Sequence, residues 1–128
     1  NSNQTKLTQA VMEGVAFALR DCMEALKKAG PCPNQLLAIG GGSRSRFWLE
    51  TIATTLKTAI ACPIDGEYGA AMGAARLAIL GKTDEPIKNI LSQPTISETI
   101  EPRSDLTDLY CEAFTKYKNA PFHLKSIQ

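Results

Sequence analysis

The sequence predicts an α/β fold with few parallel strands and flanking helices, on three observations. Leu36-Leu37-Ala38-Ile39 is a short, wholly apolar run, as in a strand covered on both faces. Gly40-Gly41-Gly42 follows at once and leads through small hydroxyl residues into an amphipathic stretch. A second short apolar run at 58–62 then completes strand, helix, strand, which within one sheet forms a right-handed parallel crossover.

Residues 5–29 read as a long helix. Leu7, Val11, Val15, Leu19, Cys22 and Leu26 recur at spacings of three and four and are expected to form its packed stripe. Gly14 costs about 1 kcal/mol against Ala inside a helix, so close packing against a neighbour is expected there. Gly30, Pro31 and Pro33 stop the helix. The first strand covers 35–39. The second helix spans about 43–57, capped by Ser43 or Ser45, with Trp48, Ile52 and Leu56 as its apolar face beside Leu49 and Ala53.

After the strand at 58–62, Pro63 ends the extended run and Asp65-Gly66-Glu67-Tyr68 makes a turn. The third helix, about 68–80, is nearly all Gly and Ala in its first half. Gly69 and Gly73 share a face that another helix or a ligand can approach closely. Further on the pattern weakens. Residues 84–91 read as a short helix opened by Asp84, and 94–102 as an extended stretch of imperfect alternation. A last helix runs to about Lys118, capped by Ser104 or Asp105, with a stripe of Leu106, Leu109, Tyr110, Ala113, Phe114 and Tyr117. The tail from Pro121 carries no strong signal.

The 128 residues suit one domain with one core. A net charge of +1 supplies no basic stripe for nucleic acid or an acidic membrane, and no run approaches the roughly 20 apolar residues of a membrane span. The expectation is a cytoplasmic protein with neither kind of partner. Cys22, Cys32, Cys62 and Cys111 lack C-x-x-C spacing and read as reduced, mostly buried thiols. With His123 the one histidine, they build no recognisable zinc set. Two convincing strands leave open edges, and the chain starts without methionine, so a piece of a larger α/β domain is expected.

Chemistry concentrates in Gly40-Gly41-Gly42-Ser43-Arg44-Ser45. A glycine turn lets a ligand approach bare backbone, and free N–H groups at a helix start suit phosphate or another polar group. The competing reading is a plain tight turn. A phosphate loop ending in Gly-Lys-Ser/Thr is absent. Gly40-x-Gly42-x-x-Ser45 misses the third glycine of a dinucleotide fingerprint, although Asp65 stands where an acid could hold a ribose. Other candidates carry plain alternatives. Trp48 reads as core or interface before a purine stack, and Arg44 and Arg46 as solvated or packed over the loop before phosphate contacts. Tyr68 flanks the cleft in one reading. His123 reads as structural or exposed, and Phe114 and Tyr117 as core. Asp21, Asp65 and Glu67 read as turn and surface charges.

Three stretches in order resemble the C-terminal domain of the FGGY carbohydrate kinases: residues 11–19 (VMEGVAFAL), 38–48 (AIGGGSRSRFW) and 69–78 (GAAMGAARLA). The resemblance covers about residues 7–81 well and the rest loosely. It implies the C-terminal part of an actin-like ATPase (ribonuclease H-like) domain, with the whole of 1–128 on the nucleotide side of a cleft. The implied activity is transfer of the γ-phosphoryl of ATP to a sugar hydroxyl, xylulose first among the sugars. Gly40, Gly41 and Gly42 would form the adenosine loop, while Ser43 and Ser45 cap the helix and reach purine or ribose. Some relatives carry Asn where Ser45 stands, which leaves that side-chain contact open. The 69–78 helix would pack at the interdomain hinge. The catalytic base, the sugar pocket and the Mg²⁺ and phosphate loops would lie outside this chain, so 1–128 alone is expected to be inactive. Expected partners are ATP or ADP and a sugar, with a homodimer open to it. A dinucleotide-binding domain, or a non-catalytic module docking a helix on the Gly/Ala face, remain as alternatives.

Overall fold

The computed structural model describes residues 3–30, 33 and 35–125, with side chains as far as 120. The first helix, α1, spans Gln4–Ala29, and Asn3 caps it by accepting the Lys6 N–H at 3.0 Å. Its packed face differs from the expected stripe. Ala16, Phe17 and Met23 are buried, whereas Leu7, Val11, Val15, Leu19, Cys22 and Leu26 are exposed. At 100° per residue Phe17 lies across the helix from the expected stripe, whereas Ala16 and Met23 lie along its edge, Met23 beside Leu19 and Leu26 in one groove. The buried face of α1 is therefore turned away from the centre of the stripe and meets it at one border. The close packing expected at Gly14 is likewise absent, since a Cβ there meets nothing within 4 Å.

Strand β1 is Leu36–Leu37, shorter than expected because β2 alone supplies a ladder among the described residues. The chain then makes a 3₁₀ turn, Gly41–Arg44, before helix α2, Arg46–Leu56. The turn expected between strand and helix is present, but the helix expected from about Ser43 begins at Arg46, because the extended backbone of Ser45 separates it from the 3₁₀ turn. Strand β2, Ile60–Pro63, runs parallel to β1 with Leu36 beside Ile60. A second 3₁₀ turn, Gly66–Tyr68, leads into α3, Gly69–Leu80. Helix α4 is a single turn, Ile87–Ile90, entered through Pro86 rather than Asp84.

The stretch read as extended becomes β3, Ile96–Ile100, and pairs antiparallel with β2. The sheet is therefore mixed, in the order β1-β2-β3, and parallel in its β1–β2 half. Register slips between Cys62 and Pro63, where proline has no N–H to give the ladder. A 3₁₀ turn, Ser104–Leu106, opens α5, Thr107–Lys125, which continues well beyond Lys118.

Two clusters hold these elements. Leu49 and Ala53 of α2 meet Ile60, Cys62 and Ile100 of the sheet. Phe17 of α1 meets Tyr110 and Phe114 of α5, with ring centroids 6.3 and 6.0 Å apart, a spacing favourable for aromatic pairs. Tyr117 joins them at 5.6 Å from Phe17 while staying partly exposed, and Leu109 points outward. Three threonines, Thr51, Thr54 and Thr55, are buried on α2 although sequence patterning marks them as polar. Thr54 donates to the Glu50 carbonyl and accepts the Arg103 N–H, which ties α2 to the approach of α5.

Cys22, Cys62 and Cys111 are free thiols, but Cys62 is the buried one among them, which corrects the expectation of mostly buried thiols. Burial pushes the Cys62 thiol up. Cys32 lies outside the described residues, and the His123 side chain lies outside those described. No described helix is long and apolar enough to cross a membrane.

Candidate nucleotide site

β1 and β2 are parallel, so their carboxyl ends lie side by side, and the turns that follow them meet. In parallel sheets the crevice outside the carboxyl ends is where ligands settle. Gly40 leaves β1 at φ 88°, a region that strains any side chain, so this glycine is required by the backbone. Its N–H donates to the Gly66 carbonyl at 2.9 Å, joining the first turn to the second. Gly66 is required by space: a Cβ there would sit 3.0 Å from the Ala38 carbonyl oxygen and 3.3 Å from Pro63. Asp65, just before it, holds a left-handed backbone (φ 56°), a conformation uncommon outside glycine and often found near functional sites.

Gly41 and Gly42 are different. Neither has a left-handed backbone, and both are exposed. A Cβ on Gly41 meets nothing within 4 Å, and one on Gly42 makes ordinary contact with the Trp48 indole at 3.4 Å. Packing among the described residues does not require either glycine. The surface they leave bare is available to something that comes from outside.

The two serines divide the work between them. Ser43 donates its hydroxyl to the Gly40 carbonyl at 2.7 Å, closing the turn on itself. Ser45 caps α2 by accepting the Trp48 N–H at 3.3 Å. Ser45 thus takes up one N–H of the first turn of α2, and that turn is set behind a 3₁₀ turn rather than directly after the glycines. Trp48 is half-buried and lines an apolar groove of about 450 Å³ with Leu19 and Leu26 of α1, Leu37 of β1 and Ile52 of α2.

Charge on the crevice comes from an ion pair. The Arg44 guanidinium binds the Glu67 carboxylate across the two turns. Arg44 holds the Glu67 carboxyl below its usual range, and the neighbouring Glu67 in turn raises the Tyr68 hydroxyl. Arg46 pairs instead with Glu50 at 2.9 Å and Glu98 at 3.1 Å, away from the glycines. Asp21 pairs with Lys118 at 3.0 Å. On the other side of Asp65 lies a cleft of about 390 Å³, lined by Ile39, Gly69, Met72, Gly73, Arg76 and Thr95 among others. Gly69 closes one wall, where a Cβ would meet the Ile39 side chain at 3.3 Å, whereas Gly73 faces open space. No described group of three His, Cys, Asp or Glu side chains could hold a metal ion.

The structure thus brings Gly40, Gly41, Gly42 and Ser43 together with Asp65, Gly66 and Glu67, and leaves Ser45 on the helix side of the turn. Sequence reading treated Glu67 as a surface charge and left its partnership with Arg44 unseen. The available signal was symmetry, since each strand of the crossover ends in a glycine-bearing turn.

The model of the FGGY family of carbohydrate kinases, C-terminal domain, matches residues 1–81. Xylulose kinase of Bacillus subtilis is 28% identical over 98% of this chain and 27% of its own length, and that of Escherichia coli 34% identical over 76% and 20%. Among solved structures, a xyloylose kinase from Brucella ovis superposes with a TM-score of 0.84 at 44% identity, over 100% of this chain and 26% of that one. Xylulose kinase from Rhodospirillum rubrum gives 0.72 at 25% identity, over 100% and 27%. The chain spans about a quarter of the length of these relatives.

Proposed function

Because this chain belongs to the FGGY family of carbohydrate kinases, as a match to its C-terminal domain, we propose that it is the nucleotide-side part of an ATP-dependent sugar kinase. The whole enzyme transfers the γ-phosphoryl of ATP to a sugar hydroxyl in the cytoplasm, and xylulose, converted to its 5-phosphate, is the substrate the relatives' names favour. The observation that carries the site is the pair Gly41 and Gly42, bare for no reason found among the described residues.

In this reading Gly40 sets the direction of the loop, and Gly41 and Gly42 let the adenosine part of ATP lie against backbone. Ser43 and Ser45 hold the loop from its two sides, and the Ser43 oxygen keeps lone pairs for a purine or ribose donor. ATP supplies the phosphoryl group; the residues here bind and orient it, which is most of what phosphoryl transfer asks of a protein. In this reading the base that takes the sugar proton and the ligands of the accompanying Mg²⁺ belong to other parts of the enzyme, and the acids Asp21 and Glu67 of this chain serve in ion pairs. Exposed α3, with Gly73 open, then serves as the face on which the other domain rests and slides during closure.

Calorimetric titration of the 128-residue chain with ATP tests the site. Gly41→Val is expected to abolish binding while leaving the melting temperature unchanged, because the added atoms begin in open space. No heat of binding at millimolar ATP would remove the claim that this chain holds a working half-site.

A further inference from the structure

The glycine turn is anchored at both ends to the turn that follows β2. At its start the Gly40 N–H reaches the Gly66 carbonyl at 2.9 Å, and at its end Arg44 reaches Glu67. Between these anchors lie Gly41 and Gly42, which are exposed. The other bonds described within the turn, from the Ser43 N–H and hydroxyl to the Gly40 carbonyl and from the Ser45 N–H to the Gly42 carbonyl, are internal and shape it without placing it.

The two anchoring sides are unequal. Gly66 is wedged against Ala38 and Pro63, so the second turn is seated on the strand ends. The Glu67 side chain is 23% exposed, whereas the Arg44 side chain is 71% exposed. The fixed partner is Glu67 and the partner being held is Arg44.

We propose that Glu67 is a positioning residue for the glycine turn, which it fixes through Arg44 so that Gly41 and Gly42 face the crevice in one orientation. Its effect on nucleotide affinity rests on the ATP reading above; the latch itself does not. A loop placed in advance loses less freedom when ligand arrives, which is how a residue that touches no ligand alters affinity. An exposed ion pair moves such an equilibrium by a modest factor, roughly two- to fivefold.

The test uses the 128-residue chain, amide hydrogen exchange and ATP titration by NMR. Glu67→Gln is expected to speed exchange of the Gly40 amide about two- to fivefold and to weaken ATP by a similar factor. Amides of Leu49 and Ala53 in α2 should exchange as before. The double reversal Arg44→Glu with Glu67→Arg should restore the slow Gly40 exchange, which loss of structure at position 67 would not allow. Unchanged Gly40 exchange in Glu67→Gln, or no restoration in the double reversal, overturns the latch. If ATP leaves the Gly41 and Gly42 resonances of the unaltered chain in place, the nucleotide reading fails by itself, and the exchange arm still decides the latch.

Discussion

Helices α2 and α3 occupy equivalent places in the chain and meet opposite fates. Each follows a strand of the parallel pair through a glycine-bearing 3₁₀ turn, and they are 11 and 12 residues long. α2 carries five charged or threonine side chains, yet six of its residues are buried, among them three threonines. α3 reads Gly-Ala-Ala-Met-Gly-Ala-Ala-Arg-Leu-Ala-Ile-Leu, the more apolar of the two, and buries none of its residues. Leu77 is 68% exposed on α3, whereas Leu49 is 4% exposed on α2. Apolar character makes burial favourable, but the neighbour decides whether it happens. α2 lies between the sheet, α1 and α5; α3 has α4 and the turn before it.

This contrast can be broken by paired substitutions. Leu49→Ala removes a side chain from the core and is expected to cost about 2–5 kcal/mol. Leu77→Ala on α3 should stay within about 0.5 kcal/mol. Urea unfolding of both variants measures the difference, and similar losses would mean that α3 is packed in solution after all. The glycines give a second pair of opposite sign. Gly66→Ala forces a Cβ to within 3.0 Å of a carbonyl oxygen, and overpacking of this kind costs about 1–3 kcal/mol. Gly73→Ala meets nothing within 4 Å and should stabilise α3 by about 0.5–1 kcal/mol, since alanine is the better helix former.

A third pair lies within α2 itself. Thr54 is satisfied on both sides, while the Thr55 hydroxyl is buried without a described partner. Thr54→Val strands the Arg103 N–H and is expected to cost about 1–3 kcal/mol, toward the lower end because that group lies near solvent. Thr55→Val removes an unpaired polar group and should be neutral or stabilising by less than about 1 kcal/mol. Thermal melts of the two variants should move in opposite directions or leave Thr55→Val flat; a large loss at Thr55 would reveal a partner for its hydroxyl.

Much of the fold was legible along the chain. The helix at Gln4–Ala29, the parallel strand pair, the helix after each glycine turn and the last helix all announce themselves through period and punctuation. β3 was half legible: its alternation marked it as extended, but nothing local says that it returns antiparallel to β2. The faces were less legible. Leu7, Val11, Val15, Leu19 and Leu26 make a regular stripe that stays exposed, Leu19 and Leu26 on the rim of a groove, while Ala16, Phe17 and Met23 are buried. A period identifies an apolar face and is silent about what covers it. Of the candidate site, the glycines stand out in the sequence because they are three in a row. Glu67 does not, because its meaning comes from Arg44, 23 residues earlier.

Residue chemistry alone therefore marked most of the helices and the parallel strand pair in their order, since backbone preferences and caps act over a few residues, and the order of three stretches carried the resemblance to the family. Tertiary structure alone decided that Gly40 and Gly66 are joined, that Gly41 and Gly42 are bare without cause among the described residues, and that α2 is enclosed while α3 is open. Those outcomes depend on which surfaces meet. Burial and long-range pairing are properties of two segments at once, and no single segment contains the information.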